Sequence, residues 1–85
     1  YLKSGYTKIK GDKELKANVT YMIAQCYRFM KNTNVAESWY EKSIKRGYSD
    51  PEAILNLADM LKMNEKYDEA IIQYKKYMEK VMTIL

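Results

Sequence analysis

Histidine is absent from this chain of 85 residues, and cysteine occurs once. Without histidine the chain lacks the residue type most often used as a general base and as a metal ligand. A single cysteine provides no internal disulfide, no Cys-His pair and no thiolate-rich zinc site. Cys26 lies beside Tyr27 in a helical pattern and is interpreted as a buried, inert thiol. The sequence therefore predicts a protein that is not an enzyme and that binds no cofactor and no metal.

Other kinds of site are also missing. Gly5 and Gly11 are isolated, so there is no glycine-rich phosphate loop. Asp68 and Glu69 are adjacent and would point apart on a helix. No apolar stretch approaches the roughly 18 residues that cross a membrane, so no direct membrane insertion is expected. The net charge is +4, and its 15 basic and 11 acidic residues are interspersed, as on a solvated helical surface.

The chain ends give two expectations. The sequence shows no signal peptide. Because it also opens without methionine, we interpret it as a processed or excised piece of a longer protein. The apolar run at residues 81–85 is expected to pack on a further segment.

The chain does contain an internal repeat. Writing residues 17–50 above 51–84 aligns alanine with alanine twice and tyrosine with tyrosine once, at a constant difference of 34 (58 − 24, 70 − 36, 74 − 40). A Tyr-x-Lys pattern occurs three times in the same register, at Tyr6/Lys8, Tyr40/Lys42 and Tyr74/Lys76. A period of this length is typical of stacked helical repeats.

Within each period the apolar spacing is helical, and proline and glycine are scarce. The spacing predicts helices near residues 13–31, 34–46, 51–63 and 67–82, after a helical remnant at 1–10 that ends in a break at Gly11-Asp12. Gly47 is predicted to adopt a left-handed helix-ending conformation. Asp50 is predicted to cap the next helix, with Pro51 at its first helical position. The expected fold is all-α, with antiparallel helix pairs that form a short solenoid.

The pattern of small and aromatic residues resembles the tetratricopeptide repeat (TPR). In that family, small residues at the eighth and twentieth places let the two helices approach closely. Those places, and the aromatic twenty-fourth, correspond here to Ala24, Ala58, Ala36, Ala70, Tyr40 and Tyr74. Thr20 departs from the family pattern, because tryptophan is usual there. The implied organisation is a partial repeat at 1–16 (a second-helix remnant and linker), a repeat at 17–50, and a repeat at 51–85 with an apolar C-terminal extension.

A narrower resemblance rests on residues 24–28, 36–40 and 47–53. These runs are similar to the N-terminal TPR region of OmpA-like, peptidoglycan-binding envelope proteins linked to type IX secretion. The resemblance implies a periplasmic location next to the outer membrane. Without it, a cytoplasmic location is the alternative.

The TPR resemblance also implies a concave groove lined by the first helix of each repeat. Ten residues fall at its groove places, among them Asn18 and Glu52. The predicted site consists of the other eight: Tyr21, Gln25, Arg28, Phe29, Leu55, Asp59, Lys62 and Met63. We interpret them as the binding site for a peptide or protein surface, including another part of the same chain or envelope assembly. Tyr21 and Arg28 are the residue types that most often dominate binding energy. The other interpretation is that the apolar members support an adjoining segment of the chain.

RNA binding by helical repeats is the alternative function. Tyr21, Arg28 and Phe29 are the side chains that would stack or pair with bases. Glu52 and Asp59 lie on the same presumed face and would repel phosphate. The sequence therefore favours a protein ligand over nucleic acid.

Overall fold

A computed structural model describes the backbone of residues 2–84 and the side chains of residues 13–83. The chain forms four helices and, within the described residues, no strand. Their bounds are α1 Leu2–Phe29, α2 Thr33–Lys45, α3 Glu52–Met63 and α4 Tyr67–Ile84. Each helix packs on the next in chain order. Because the connections are short, consecutive helices are antiparallel neighbours. The all-α prediction is confirmed, and none of the described helices is long and apolar enough to cross a membrane.

The break predicted at Gly11-Asp12 is wrong, because α1 runs without interruption from Leu2 to Phe29. A glycine inside a helix costs only about 1 kcal/mol relative to alanine, which is too little to end a helix surrounded by good helix formers. The side chains of Tyr6 and Lys8 lie outside the described residues. The division of the chain at residue 16 therefore stays a prediction.

The helix ends follow the predicted chemistry. Gly47 has φ 91°. The N–H of Tyr48 donates to the carbonyl of Ser43, and that of Gly47 to the carbonyl of Ile44, so that the last carbonyls of α2 are satisfied. Asp50 Oδ1 accepts the Glu52 N–H at 3.0 Å, and Pro51 is helical at φ −59°. The predictions for Gly47 and Asp50 are confirmed, while α3 itself begins at Glu52, one residue after Pro51.

The small residues of the repeat lie where helices touch. All four alanines at the eighth and twentieth places are buried: Ala24, Ala36, Ala58 and Ala70. Around three of them one hydrophobic core includes Tyr40, Leu57 and Met60 and extends through all four helices. The repeat register read from the sequence is therefore the register of the packing.

Cys26 is exposed, so its interpretation as a buried thiol is wrong. It lies on the side of α1 opposite the core residues Ala17, Tyr21 and Ala24. Nearness to Tyr27 in sequence was a poor guide, because adjacent helical residues point about 100° apart. At the other end of the chain Met82 is exposed. The packing of the apolar residues 81–85 on a further segment stays a prediction.

Candidate functional site

Polar side chains link the first helices of the two units. Asn56 Nδ2 of α3 donates to Tyr21 Oη of α1 at 2.7 Å, and Arg28 Nη1 of α1 donates to Asn56 Oδ1 at 3.4 Å. Asn56 is buried, so its amide needs these partners. This bridge fixes how α1 and α3 lie beside each other and so shapes the face they share.

Tyr21 lies in the core of the protein, and its predicted contact with a ligand stays a prediction. The residue is only 8% exposed, and its ring stacks on Tyr48 at 4.3 Å between centroids and meets Tyr40 edge-on at 5.6 Å. Burial raises the pKa of Tyr21 to about 12, and nearby tyrosine hydroxyls and carboxylates add to the effect. The ring forms the floor of the face shared by α1 and α3, and its removal would disturb the fold first.

Tyr40 lies below this floor. It is fully buried, and its hydroxyl has no hydrogen-bond partner among the described residues. Burial raises the pKa of Tyr40, and the positive charge of Arg28 partly opposes that rise. Arg28 therefore serves the interior as well as the surface, since it also donates to Asn56.

Asp59 is engaged within its own unit. Its carboxylate accepts the hydroxyl of Tyr74 from α4, and this hydrogen bond is the main cause that raises the pKa of Tyr74 to about 12. Gln25 is half-buried and donates to Tyr21 Oη at 3.1 Å. These polar groups on the face are thus held in place by contacts inside the protein.

The exposed members of the predicted set lie at the carboxyl ends of α1 and α3. Phe29 is 79% exposed and Met63 is 62% exposed, and they stand at equivalent places of the two repeats. Lys62 is also exposed, whereas Leu55 is half-buried. The structure therefore offers two large apolar side chains and a lysine for contact, beside a partly buried row of polar groups.

Sequence reasoning missed the network that joins the two helix turns. Asn64 Nδ2 donates to the Thr33 carbonyl at 3.1 Å and to Glu37 Oε1 at 2.8 Å, and Lys66 Nζ lies 2.9 Å from Glu37 Oε2. The Thr33 hydroxyl donates to Asn64 Oδ1 at 2.5 Å. The only signal for this network was that asparagine and lysine recur in both turns, and that reads as ordinary loop composition.

Thr20 is explained by a similar contact. It is buried at the place where the TPR resemblance implies tryptophan. Its hydroxyl donates to the Lys16 carbonyl at 2.5 Å and accepts from Arg46 Nη1 at 2.7 Å. A buried threonine with both partners costs little, so this departure leaves the helix pair intact.

Among the described residues, no group of three or more histidine, cysteine, aspartate or glutamate side chains is placed to hold a metal. What the fold defines is a helical repeat protein, made of two helix pairs with equivalent small residues at their contacts. Residues 17–46 match the family model described as Tetratricopeptide repeat. The match supports the TPR family for α2 and the second half of α1, and repeats of this family are generally protein–protein interaction modules.

Comparison with curated proteins and with solved structures found no match. The narrower resemblance to OmpA-like envelope proteins of type IX secretion has no support from these comparisons.

Proposed function

We propose that this chain is a non-catalytic interaction module that binds a peptide or protein surface on the face shared by α1 and α3. The observation that supports this most is the pair Phe29 and Met63. Large apolar side chains exposed at the same place of two successive repeats form a spaced pair of anchors. Isolated exposed apolar residues are common, but a pair in repeat register beside organised polar groups is a feature of a binding face.

The charges of the face favour a mixed or nearly neutral ligand. Arg28 and Lys62 lie on the same helices as Glu52 and Asp59, so the formal charge of the four sums to zero. Asp59 already accepts from Tyr74, and Arg28 donates to Asn56. For an acidic tail, Lys62 would be the cation of this face that is not already hydrogen-bonded to these neighbours. We therefore expect apolar side chains of the ligand to supply most of the affinity.

The structure weakens the RNA alternative. Of the three side chains proposed to stack or pair with bases, Tyr21 is buried and Arg28 is engaged with Asn56. Phe29 alone remains a free stacking platform, and base stacking on one ring supplies only about 1–3 kcal/mol. A protein ligand accounts for both Phe29 and Met63.

The test is selection from a displayed library of short peptides, followed by NMR mapping of a selected peptide on the isotope-labelled chain. We expect the signals of Phe29, Met63 and Arg28 to shift. Phe29→Ala and Met63→Ala should each weaken binding by at least about 1 kcal/mol, since truncation of anchor residues costs this much or more. Lys45→Ala is the matched control, because Lys45 lies on α2 with a highly exposed side chain. Shifts confined to α2 and α4 would refute the proposed face.

The cellular setting is a separate proposal. We propose a place in a larger envelope protein on the periplasmic side of the outer membrane, and its support is the resemblance of the three sequence runs alone. Fractionation of source cells with an antibody against this chain tests it. Recovery in the outer-membrane fraction supports the proposal, and recovery with cytoplasmic markers refutes it.

A further inference from the structure

Helix α1 has a second apolar face that the fold leaves open. Leu15, Val19, Met22 and Cys26 are all exposed, and Met22 is 61% exposed. Their spacing of four, three and four residues places them on one side of the helix. The core residues of α1, such as Ala24, lie on the opposite side. Nothing among the described residues covers this α1 face.

The second unit shows what the equivalent face does. The residues one repeat after Val19, Met22 and Cys26 are Ala53, Asn56 and Met60, and all three are buried. Asn56 is 8% exposed, against 61% for Met22. Ala53 and Met60 share a buried cluster with Ala36 and Tyr40 of α2. On α3, therefore, this face is the surface by which the second unit packs on the first, through Ala53 and Met60 on α2 and through Asn56 on α1.

Helix α4 has the complementary face. It stands one repeat after α2, and its Ile71, Tyr74 and Met78 are equivalent to Glu37, Tyr40 and Ile44. Ile71 is exposed, and Met78 is 57% exposed. Tyr74 is half-buried, whereas its equivalent Tyr40, enclosed by α1 and α3, is fully buried. Within the described residues, the chain thus presents both halves of its own internal contact between repeats, one on α1 and one on α4.

We propose that the α1 face of one copy docks on the α4 face of a second copy, head to tail, and repeats the packing of α3 on α2. No charged side chain is present among the residues matched between the repeats, which are Val19, Met22 and Cys26 on the α1 face and Ile71, Tyr74 and Met78 on the α4 face. A second copy is therefore not repelled, while a charged ligand would find no opposite charge at the centre of either face. Each contact leaves an α1 face free at one end and an α4 face free at the other, so association is open-ended.

One residue indicates how strong the contact is. Ser43 of α2 is fully buried, and its equivalent on α4 is Tyr77, which is much larger. The copy-to-copy contact must therefore be spaced more widely than the internal contact. Since affinity depends on close packing at the centre of an interface, the association is reversible and concentration-dependent.

The experiment is sedimentation velocity over a wide range of protein concentration, on the wild-type chain, on Met22→Lys and on Met78→Lys. The two variants are matched, because each places the same charge at a similarly exposed methionine, one on each face. The wild type should form a series of species that grows with concentration. Each variant alone should remain a monomer, since each has lost one half of the contact.

Mixing the two variants is the decisive arm. The Met78→Lys chain keeps its α1 face and the Met22→Lys chain keeps its α4 face, so the mixture should form a 1:1 dimer and nothing larger. A monomeric wild type or a monomeric mixture overturns the proposal. Dimers that persist in Met78→Lys alone would show α1-to-α1 pairing, and dimers in Met22→Lys alone would show α4-to-α4 pairing; either result also overturns it.

Circular dichroism checks that both variants keep the helicity of the wild type. Both positions are exposed on helices, so no change is expected. Val19→Lys and Ile71→Lys form a second matched pair on the same two faces, and they replace any variant that loses helicity.

Discussion

Lys31 and Glu65 occupy equivalent places of the two repeats, and both have left-handed backbone, with φ 64° and φ 65°. Each follows the last turn of a first helix. The next N–H along the chain returns to a carbonyl in that turn, from Asn32 to Tyr27 and from Lys66 to Leu61. The same helix-ending motif closes α2, where glycine occupies the left-handed position. The two units thus share a strained position that neither fills with the favoured residue.

Lys31→Gly and Glu65→Gly should therefore each stabilise the protein. A residue with a Cβ pays about 1–2 kcal/mol in this conformation. Glycine avoids this cost, but its greater conformational freedom in the unfolded chain lowers the stability of the fold by about 0.5–1 kcal/mol. We expect a net gain of about 0.5–1 kcal/mol for each change, measured by denaturant unfolding.

Gly47→Ala is the control for these two variants. Apart from its own chain neighbours, no heavy atom of the described residues lies within 4 Å of the added Cβ, so its cost comes from the backbone conformation. Gly47→Ala should destabilise the protein by about 1 kcal/mol, because it introduces the backbone strain that the other two variants remove. If Lys31→Gly and Glu65→Gly leave the unfolding midpoint unchanged, the left-handed conformation at these positions is not strained.

Ala58→Leu should destabilise the protein by about 1–3 kcal/mol, because it adds three carbons at a fully buried contact between helices. Ser38→Leu adds a leucine at an exposed helical position and is the control. Thermal unfolding followed by circular dichroism gives both values. Equal midpoints for the two variants would contradict the assignment of Ala58 to a helix contact.

The repeat period was sufficient to predict the four helices, because the repeat register fixes where small residues must recur. The helix break predicted at Gly11 was wrong for a local reason. A glycine in the sequence pattern indicates a break, but a helix tolerates one glycine among residues that strongly favour helix. The prediction that Cys26 is buried was wrong because its neighbours in sequence are not its neighbours on the helix surface.

The burial of the candidate-site residues could not be predicted from the sequence. A groove place in a repeat says which helix a residue lies on, but not how deep its side chain lies. Tyr21 is drawn into the core because Tyr48, from the connection between α2 and α3, stacks on it. Asn56 was missed because its partners come from another helix and are distant in sequence.

Tyr21→Ala should therefore cost stability before it affects binding. Replacing a large buried aromatic residue by alanine costs about 3–5 kcal/mol, and here the Asn56 amide also loses its acceptor. Tyr21→Phe keeps the ring and removes only the hydroxyl, so it should cost about 1–3 kcal/mol of stability for the unpaired Asn56 amide. Urea unfolding of both variants tests this, and a Tyr21→Ala protein as stable as the wild type would show that the ring is not part of the core.

Stability should fall in alkaline solution between pH 10 and pH 12. The pKa values of Tyr21 and Tyr74 are both raised from 10.0 to about 12 in the folded protein. Below pH 10 both hydroxyls are protonated in both states, so their full contribution is present. Above pH 10 the unfolded chain releases these protons first, and the free energy of unfolding decreases until the folded protein also ionises.

Tyr74→Phe provides the control for this pH dependence. It removes the hydroxyl that donates to Asp59, so the alkaline loss of stability should become smaller. Tyrosinate absorbance followed with pH should show one fewer late-titrating tyrosine. An unchanged pH dependence would mean that the hydrogen bond between Tyr74 and Asp59 does not hold the proton.

Two glutamates on α2, one turn apart, offer a final matched comparison. Glu37 accepts from Asn64 at 2.8 Å and from Lys66 at 2.9 Å, and its side chain is largely buried. Glu41 lies 3.7 Å from Lys45, and both of these side chains are exposed. Glu37 therefore ties α2 to the turn between α3 and α4, whereas Glu41 pairs only within its own helix.

Glu37→Ala should destabilise the protein by about 1–2 kcal/mol, since it removes two hydrogen bonds between the units and leaves a half-buried amide short of a partner. Glu41→Ala should change stability by no more than about 0.5 kcal/mol, because exposed pairs four residues apart contribute little. Denaturant unfolding at low salt and at high salt measures both. Equal losses for the two variants would show that Glu37 does not connect the repeats, and that the apolar contacts of Ala53 and Met60 with α2 suffice to hold them together.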